Sequence, residues 1–269
     1  MAYGAQSASL GTLNGADGSS TVTLFGFKVT ASVNGPIEVQ RRDELPEEAA
    51  IEVNIRPASG VHSPLEAHLE ALVHSTLRSV ILVDRFPRTL IQVTLQVLAE
   101  PEEGRPWRYL VKSAAGVLLL LPALLQAALM AVMDANIPLD TIYATALVAA
   151  VPKPTVPKWA NPEEIEKRGN DVIDVTCLSP TADYDLSQAL SLHVFCFARD
   201  EKLVFSESEG SFEFQTWESA LTAASKACRV DAIQEDSMHV DGTLDSAQEL
   251  LKKAVLEKVT RDNRWRAAS

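Results

Sequence analysis

The longest apolar run in the chain goes from Gly116 to Pro138, GVLLLLPALLQAALMAVMDANIP, and nothing like it occurs elsewhere. Its length sits at the lower limit for a membrane span. Pro122 and Gln126 interrupt it, Asp134 ends its apolar part, and Lys112 is the nearest basic residue before it. Spans usually carry basic residues on one flank, so a buried central helix is the better reading. Pro122 suits a first helical turn, where its missing N–H costs nothing. Ala123 to Met133 then supplies good helix formers. A helix apolar almost all round must be covered on more than one side, which implies a layered domain.

At 269 residues, with 46% hydrophobic and 22% charged residues, the chain is long enough for one large domain with a sizeable core. The formal net charge is -12, which excludes the overall basic footprint of a stand-alone nucleic-acid binder. Any RNA contact must be local. Cys177, Cys196 and Cys228 are far apart and form no CxxC pair, so reduced, buried thiols are expected and a zinc site is not. Met1 to Ser20 has neither a basic nor an apolar stretch, so no secretory signal is expected.

The early residues are small and polar and read as a loose arm until the turn signature Asp17-Gly18-Ser19. Thr21–Leu24 and Lys28–Val33 read as an antiparallel pair turned near Gly26, with Gly35-Pro36 stopping the second strand. Ile51 to Arg56 alternates as a half-buried strand. Ser63, Pro64 and Glu66 form a capping-box helix start. Leu65, Leu69, Leu72, Leu77 and Val80 continue as a helical stripe. Ile91, Val93, Leu95 and Val97 alternate with polar residues, the clearest strand in the sequence. Further strands are expected at 141–151, 171–177, 188–198 and 202–205, a turn at Glu209-Gly210, and helices at 216–228 and 246–259. Pro152 to Asn170 reads as a surface insertion. The whole is one α+β domain.

Site chemistry is sparse. No GxGxxG or GxxxxGKS loop is present. His62, His68, His74, His193 and His239 lack HExxH spacing and read as surface or packing residues. Asp183 and Asp185 could ligate a hard cation or sit in a solvated turn. Arg41-Arg42, the sole adjacent arginine pair, could bind phosphate or pair with nearby acids. No Ser-His-Asp or Cys-His order stands out, so no catalytic residue, cofactor or metal is assigned.

A set of collinear motifs nevertheless resembles the RNase PH family, and within it the RNase PH-like core subunits of the eukaryotic RNA exosome, on the branch concerned with ribosomal RNA processing. These are Asp17-Gly18-Ser19, Gly35-Pro36, Arg42-Asp43-Glu44-Leu45-Pro46, Ile55-Arg56-Pro57, Phe86-Pro87-Arg88 with Gln92 and Gln96, Met133-Asp134-Ala135-Asn136-Ile137-Pro138, Pro180-Thr181-Ala182 and Leu192-His193-Val194. The resemblance implies one RNase PH-type domain over 17–235, with mixed sheets around the central helix. A flexible arm at 1–16 would precede it and a C-terminal helix within 236–269 would follow.

Active members of the family bind inorganic phosphate through a Gly-Thr-Arg motif at the start of the central helix. The matching positions here are Leu119, Leu120 and Leu121, which offer no donor and no charge. Of the family's acidic pair, Asp185 is retained and the second position is Ser191. Val61-His62-Ser63-Pro64 lacks the arginines that active members carry before the first long helix. The resemblance therefore implies a catalytically silent ring subunit with related subunits as neighbours, RNA-binding cap subunits above, an associated hydrolytic nuclease, and single-stranded RNA in the channel. Arg42, with Arg41 beside it, matches the arginine of a channel-lining loop. Nuclear, nucleolar and cytoplasmic pools are expected. The alternative is a phosphorolytic or metal-dependent ribonuclease using Asp183 and Asp185. A free-standing homodimer is a third, weaker possibility.

Overall fold

Phe25 and Gly26, at φ 51° and 81°, make the two-residue positive-φ turn that matches the twist of a hairpin. They join strand β2 (Gly18–Leu24) to β3 (Phe27–Glu38). The computed structural model describes residues 6–39, 44–61, 63–100, 114–152, 173–178, 189–228 and 247–267. Strand β3 is longer than the sequence suggests. Pairing lapses at Gly35-Pro36, a cis peptide, and resumes at Ile37 opposite Leu90. Proline has no N–H for the ladder, so the strand bulges there instead of ending.

Strand β1 (Ser7–Leu10) pairs antiparallel with β2. Part of the expected loose arm is therefore an edge strand, anchored by Leu10, which is buried. Strand β4 (Ala50–Arg56) runs parallel to β5 (Thr89–Ala99), and helix α1 (Pro64–Val80) makes the crossover that a parallel pair needs. Ser63 caps α1 in a complete capping box with Glu66. Val73 and Thr76 join Leu69, Leu77 and Val80 on its buried face, while Leu65 is exposed. The sheet order is β1-β2-β3-β5-β4, and Ile91, Val93, Leu95 and Val97 all point into the core.

Helix α2 (Ala114–Asp134) is the apolar run. It packs on β2 and β3 on one side and reaches the second sheet on the other. Of Val117–Asp134, 78% is buried inside the fold, which accounts for its composition without a membrane. The helix starts well before Pro122, which lies in its interior. Alanines and leucines on the N-terminal side are strong enough helix formers to carry the helix through the proline, despite the ladder bond it removes.

The second sheet has the order β7-β6-β8-β9, all antiparallel: β6 (Tyr143–Pro152), β7 (Ile173–Cys177), β8 (Ser191–Ala198) and β9 (Leu203–Gly210). Glu209-Gly210 is not a turn: both residues pair with β8, and the chain bends after Gly210, at φ 110°. A Cβ at Gly210 would lie 2.3 Å from the Leu190 carbonyl oxygen, so the strand can close there only with glycine. Helix α3 (Phe214–Cys228) covers the outer face of this sheet. Helix α4 (Ala247–Asp262) packs on β1 and β6 and so touches both sheets, with a short α5 (Arg264–Ala267) after it. Of the expected insertion near 152–170, Pro152 is the last residue of β6, paired with Ile173, and 153–170 lie outside the described residues.

Candidate functional site

The Asp17-Gly18-Ser19 motif turns out to be a joint between β2 and the C-terminal end of α2. A Cβ at Gly18 would lie 2.3 Å from both the Ala131 carbonyl oxygen and the Ala135 nitrogen. Only glycine permits so close an approach. Asp17 accepts the Gly35 N–H at 2.9 Å, beside the β3 bulge. Asp134, the last residue of α2, accepts the Ser19 N–H at 2.9 Å and the Lys258 ammonium. Ser20 donates to the Ala127 carbonyl at 2.7 Å. These motif residues position the central helix; they do not form an open site.

Leu119 and Leu121 are fully in the core, and Leu120 packs against it. They lie in the second turn of α2, beyond the free N–H groups of its first turn. Nothing at these three side chains can hold an anion. Two turns on, the amide of Gln126 is wholly buried without a hydrogen-bond partner among the described residues. Asp183, Asp185, Arg41, Arg42 and His62 lie outside the described residues.

The segment carrying Arg41 and Arg42 is bracketed by firm pairings. Glu38 pairs with Thr89 at the end of the β3–β5 ladder. On the other side, the Arg88 N–H donates to the Leu45 carbonyl at 3.1 Å, the Arg88 guanidinium lies 3.3 Å from Glu44, and Ala49 donates to the Val83 carbonyl at 3.0 Å. Arg88 adopts φ 62°. The Phe86-Pro87-Arg88 and Glu44-Leu45-Pro46 motifs therefore meet each other, and they bring Leu45 to the end of the first sheet where Glu38 pairs with Thr89.

Ser191 opens β8, buried, with its Oγ 2.9 Å from His193 Nε2. His193 Nδ1 is 2.8 Å from Ser208 Oγ on β9, and the Phe212 ring stands edge-on at 4.8 Å. Burial pulls the His193 pKa down to about 4, so the ring is neutral near pH 7. A serine beside a neutral imidazole has the distance of a nucleophile and its base. The third position, however, is a hydroxyl in place of a carboxylate, and Ser191 is closed to solvent. The chain Ser191–His193–Ser208 thus satisfies buried polar groups, as the packing reading of the histidines expects. Sequence inspection missed this grouping because it depends on the β8–β9 register, His193 opposite Ser208.

Along β8, Leu192, Val194 and Cys196 join the α2 core, whereas Phe195 and Phe197 pack with α3. Strand alternation puts His193, and Ser191 bonded to it, on the α3 face. The leucines of α2 and Ser191 therefore lie on opposite faces of the second sheet. Burial raises the thiol pKa of Cys177 to about 11 and of Cys228 to about 12, and pushes Cys196 well up as well. All three are free thiols. Among the described residues, no three His, Cys, Asp or Glu side chains come together as a metal site.

Residues 5–138 match the family described as RNase_PH, 3' exoribonuclease family, domain 1. The chain is 31% identical over 228 residues to the exosome complex component RRP46 of Saccharomyces cerevisiae, covering 82% of this chain and 89% of that protein. It is 28% identical over 204 residues to exosome complex component rrp46 of Schizosaccharomyces pombe, covering 75% of this chain and 74% of that one. Among solved structures, rice (Oryza sativa) Rrp46 aligns with a TM-score of 0.61 at 24% identity, over 81% of this chain and 86% of that chain. An archaeal exosome core subunit aligns at 0.55 and 15% identity, over 83% of each. These two share the fold.

Proposed function

The chain belongs to the RNase PH family, and from that membership we propose that it is a non-catalytic structural subunit of an RNA exosome ring, supporting 3'-to-5' RNA processing and degradation, ribosomal RNA included. The similarity to the two yeast exosome components over most of their length carries this reading. The proposal includes RNase PH-like ring neighbours as partners, with cap subunits and an associated hydrolytic nuclease, and pools in the nucleus, nucleolus and cytoplasm.

The absence of catalysis rests on side-chain chemistry. Phosphorolysis needs a bound phosphate, and a buried dianion among leucines would lack charge-assisted donors. Leu119 and Leu121 are core residues whose removal from the helix interior would open a cavity instead of a site. Ser191, in place of the second acid, is committed to His193 on the other face of the sheet. Asp185 alone would then be a remnant.

Arg41 and Arg42 are proposed to meet RNA phosphates in the channel, independently of base sequence. A ring member needs positive charge only where the strand passes, so the acidic balance of the chain is compatible with this role.

The test is an RNA-shortening assay on the purified chain, alone and with its ring partners, with and without inorganic phosphate. No phosphate-dependent nucleoside diphosphate should form in either state. Its appearance would mean a working site and would overturn the structural reading. In the assembled ring, Arg41→Glu/Arg42→Glu should shorten the RNA footprint and leave assembly intact; an unchanged footprint would remove both arginines from the channel.

A further inference from the structure

A chain of five aromatic rings runs along the α3 side of the second sheet and reaches solvent at both ends. The Phe212 ring stands edge-on to His193 at 4.8 Å, and His193 stacks with Phe195 at 6.1 Å. Phe195 meets Trp217 edge-on at 5.9 Å, and Trp217 stacks with Phe214 at 6.1 Å. His193 and Phe195 are buried, whereas Phe212 is 39% exposed and Phe214 73% exposed. Phe214 is thus an outward-facing ring held against Trp217, which is itself seated on a buried ring.

The charge around this ring has one sign. Leu203 to Ser225 contains the acids Glu207, Glu209, Glu213 and Glu218 and no lysine or arginine. Glu213 immediately precedes Phe214. Glu218 follows Phe214 by four residues, so it shares a helical shoulder with Phe214 and Trp217. Both carboxylates are exposed, and neither forms an ion pair among the described residues. Leu221, packed against the core under α3, continues the shoulder by one turn. Strands β6 and β8, on which α3 packs, add no lysine or arginine. Lys226, the first basic residue along the helix, is about 18 Å from Phe214 along the axis.

We propose that the Phe214 shoulder of α3 docks an arginine-bearing, partly apolar segment of another protein. A guanidinium stacks flat on an aromatic ring and still presents its N–H groups at the edge to carboxylates. Here the ring is Phe214 and the carboxylates are Glu213 and Glu218. An apolar neighbour in the segment would rest against Trp217 and Leu221. Lysine fits less well, because an ammonium is a strongly hydrated point charge with no plane to stack. The charge selects this occupant. RNA phosphates and anionic lipid would be repelled by the carboxylates. Two copies of the chain meeting at this face would set the same acids against each other. The inference does not rest on the proposed ring function.

The experiment is fluorescence anisotropy of a short labelled peptide of alternating arginine and leucine with the full chain, across a salt series. Phe214→Ala should weaken binding about fivefold or more, and Phe214→Tyr should keep most of it. Glu213→Gln/Glu218→Gln should weaken it by a similar factor and flatten its salt dependence. Glu47→Gln/Asp84→Asn removes two exposed acids that precede β4 and β5, and should change affinity less than about twofold. The lysine version of the peptide should bind about threefold or more weakly. Circular dichroism checks that each variant folds. An equal loss in the Glu47/Asp84 variant, or none in Phe214→Ala, would reduce the attraction to overall negative charge and overturn the site. A labelled uridylate that binds the chain and is released by Phe214→Ala would overturn it. So would a concentration-dependent dimer, seen in sedimentation, that Phe214→Ala abolishes. Absence of peptide binding by the unaltered chain overturns it too, and co-purification with ring subunits judges the proposed function separately.

Discussion

Asp134 and Lys258 are 124 residues apart in sequence and form an ion pair in which the carboxylate side chain is 4% exposed and the lysine 29%. The same carboxylate accepts the Ser19 N–H. One residue at the end of the central helix thus fastens both the second strand and the C-terminal helix. Removing one member of a buried pair costs about 3–5 kcal/mol. Because Lys258 is partly solvated, Lys258→Met should cost less, about 2 kcal/mol, read as a shift of the urea midpoint. Asp134→Asn should cost more, since Ser19 loses a charged acceptor as well. Equal effects would show that Lys258 accounts for the whole contribution.

Gly18 is a test of the close approach between β2 and α2. A methyl group there meets backbone atoms, which cannot swing aside as a side chain can. Gly18→Ala should destabilise by about 1–3 kcal/mol, the usual cost of overpacking. Gly15, which has nothing within 4 Å of an added Cβ, is the control: Gly15→Ala should leave the unfolding midpoint almost unmoved.

Gln126 has its amide buried in the core helix without a partner among the described residues. Desolvating an amide without a hydrogen bond carries a penalty, while an apolar side chain of similar shape carries none. Gln126→Met should therefore raise stability by about 1–2 kcal/mol in denaturant titration. A loss of stability would indicate that the amide is satisfied in solution.

How much of this was readable beforehand depended on whether the signal was local. The capping box from Ser63 to Glu66, the alternation of Ile91 to Val97 and the turn at Gly26 are short-range patterns, and each forms as expected. Features decided by distant contacts were not readable. Pro122 looked like a helix start because the sequence does not display the packing of Val117 to Leu121, which carries α2 on the N-terminal side of the proline. Leu10 reveals β1 only through its burial under the sheet. Ser191 stood out as a substituted acid, yet its bonding to His193 and, through it, to Ser208 follows from strand register.

His193 gives the fold a specific acid sensitivity. Its folded pKa of about 4 lies below the ordinary value of 6.5, so the unfolded chain binds a proton that the folded chain does not. Stability is then complete above about pH 6.5 and falls as pH drops toward 4, by about 1.4 kcal/mol per unit for this group. Between pH 6.5 and 5 the loss from His193 should be about 2 kcal/mol. Urea unfolding at several pH values should show this loss in the unaltered chain and a shallower slope in His193→Asn, the other carboxylates contributing equally to both. Ser191→Asp should act in the opposite sense. A carboxylate at the Nε2 side favours the imidazolium and raises the His193 pKa toward the unfolded value, so less stability is lost to His193 as pH falls through the same window. NMR titration of the ring would follow the shift directly, and a His193 pKa near 6.5 in the unaltered chain would refute the buried, neutral state on which both expectations stand.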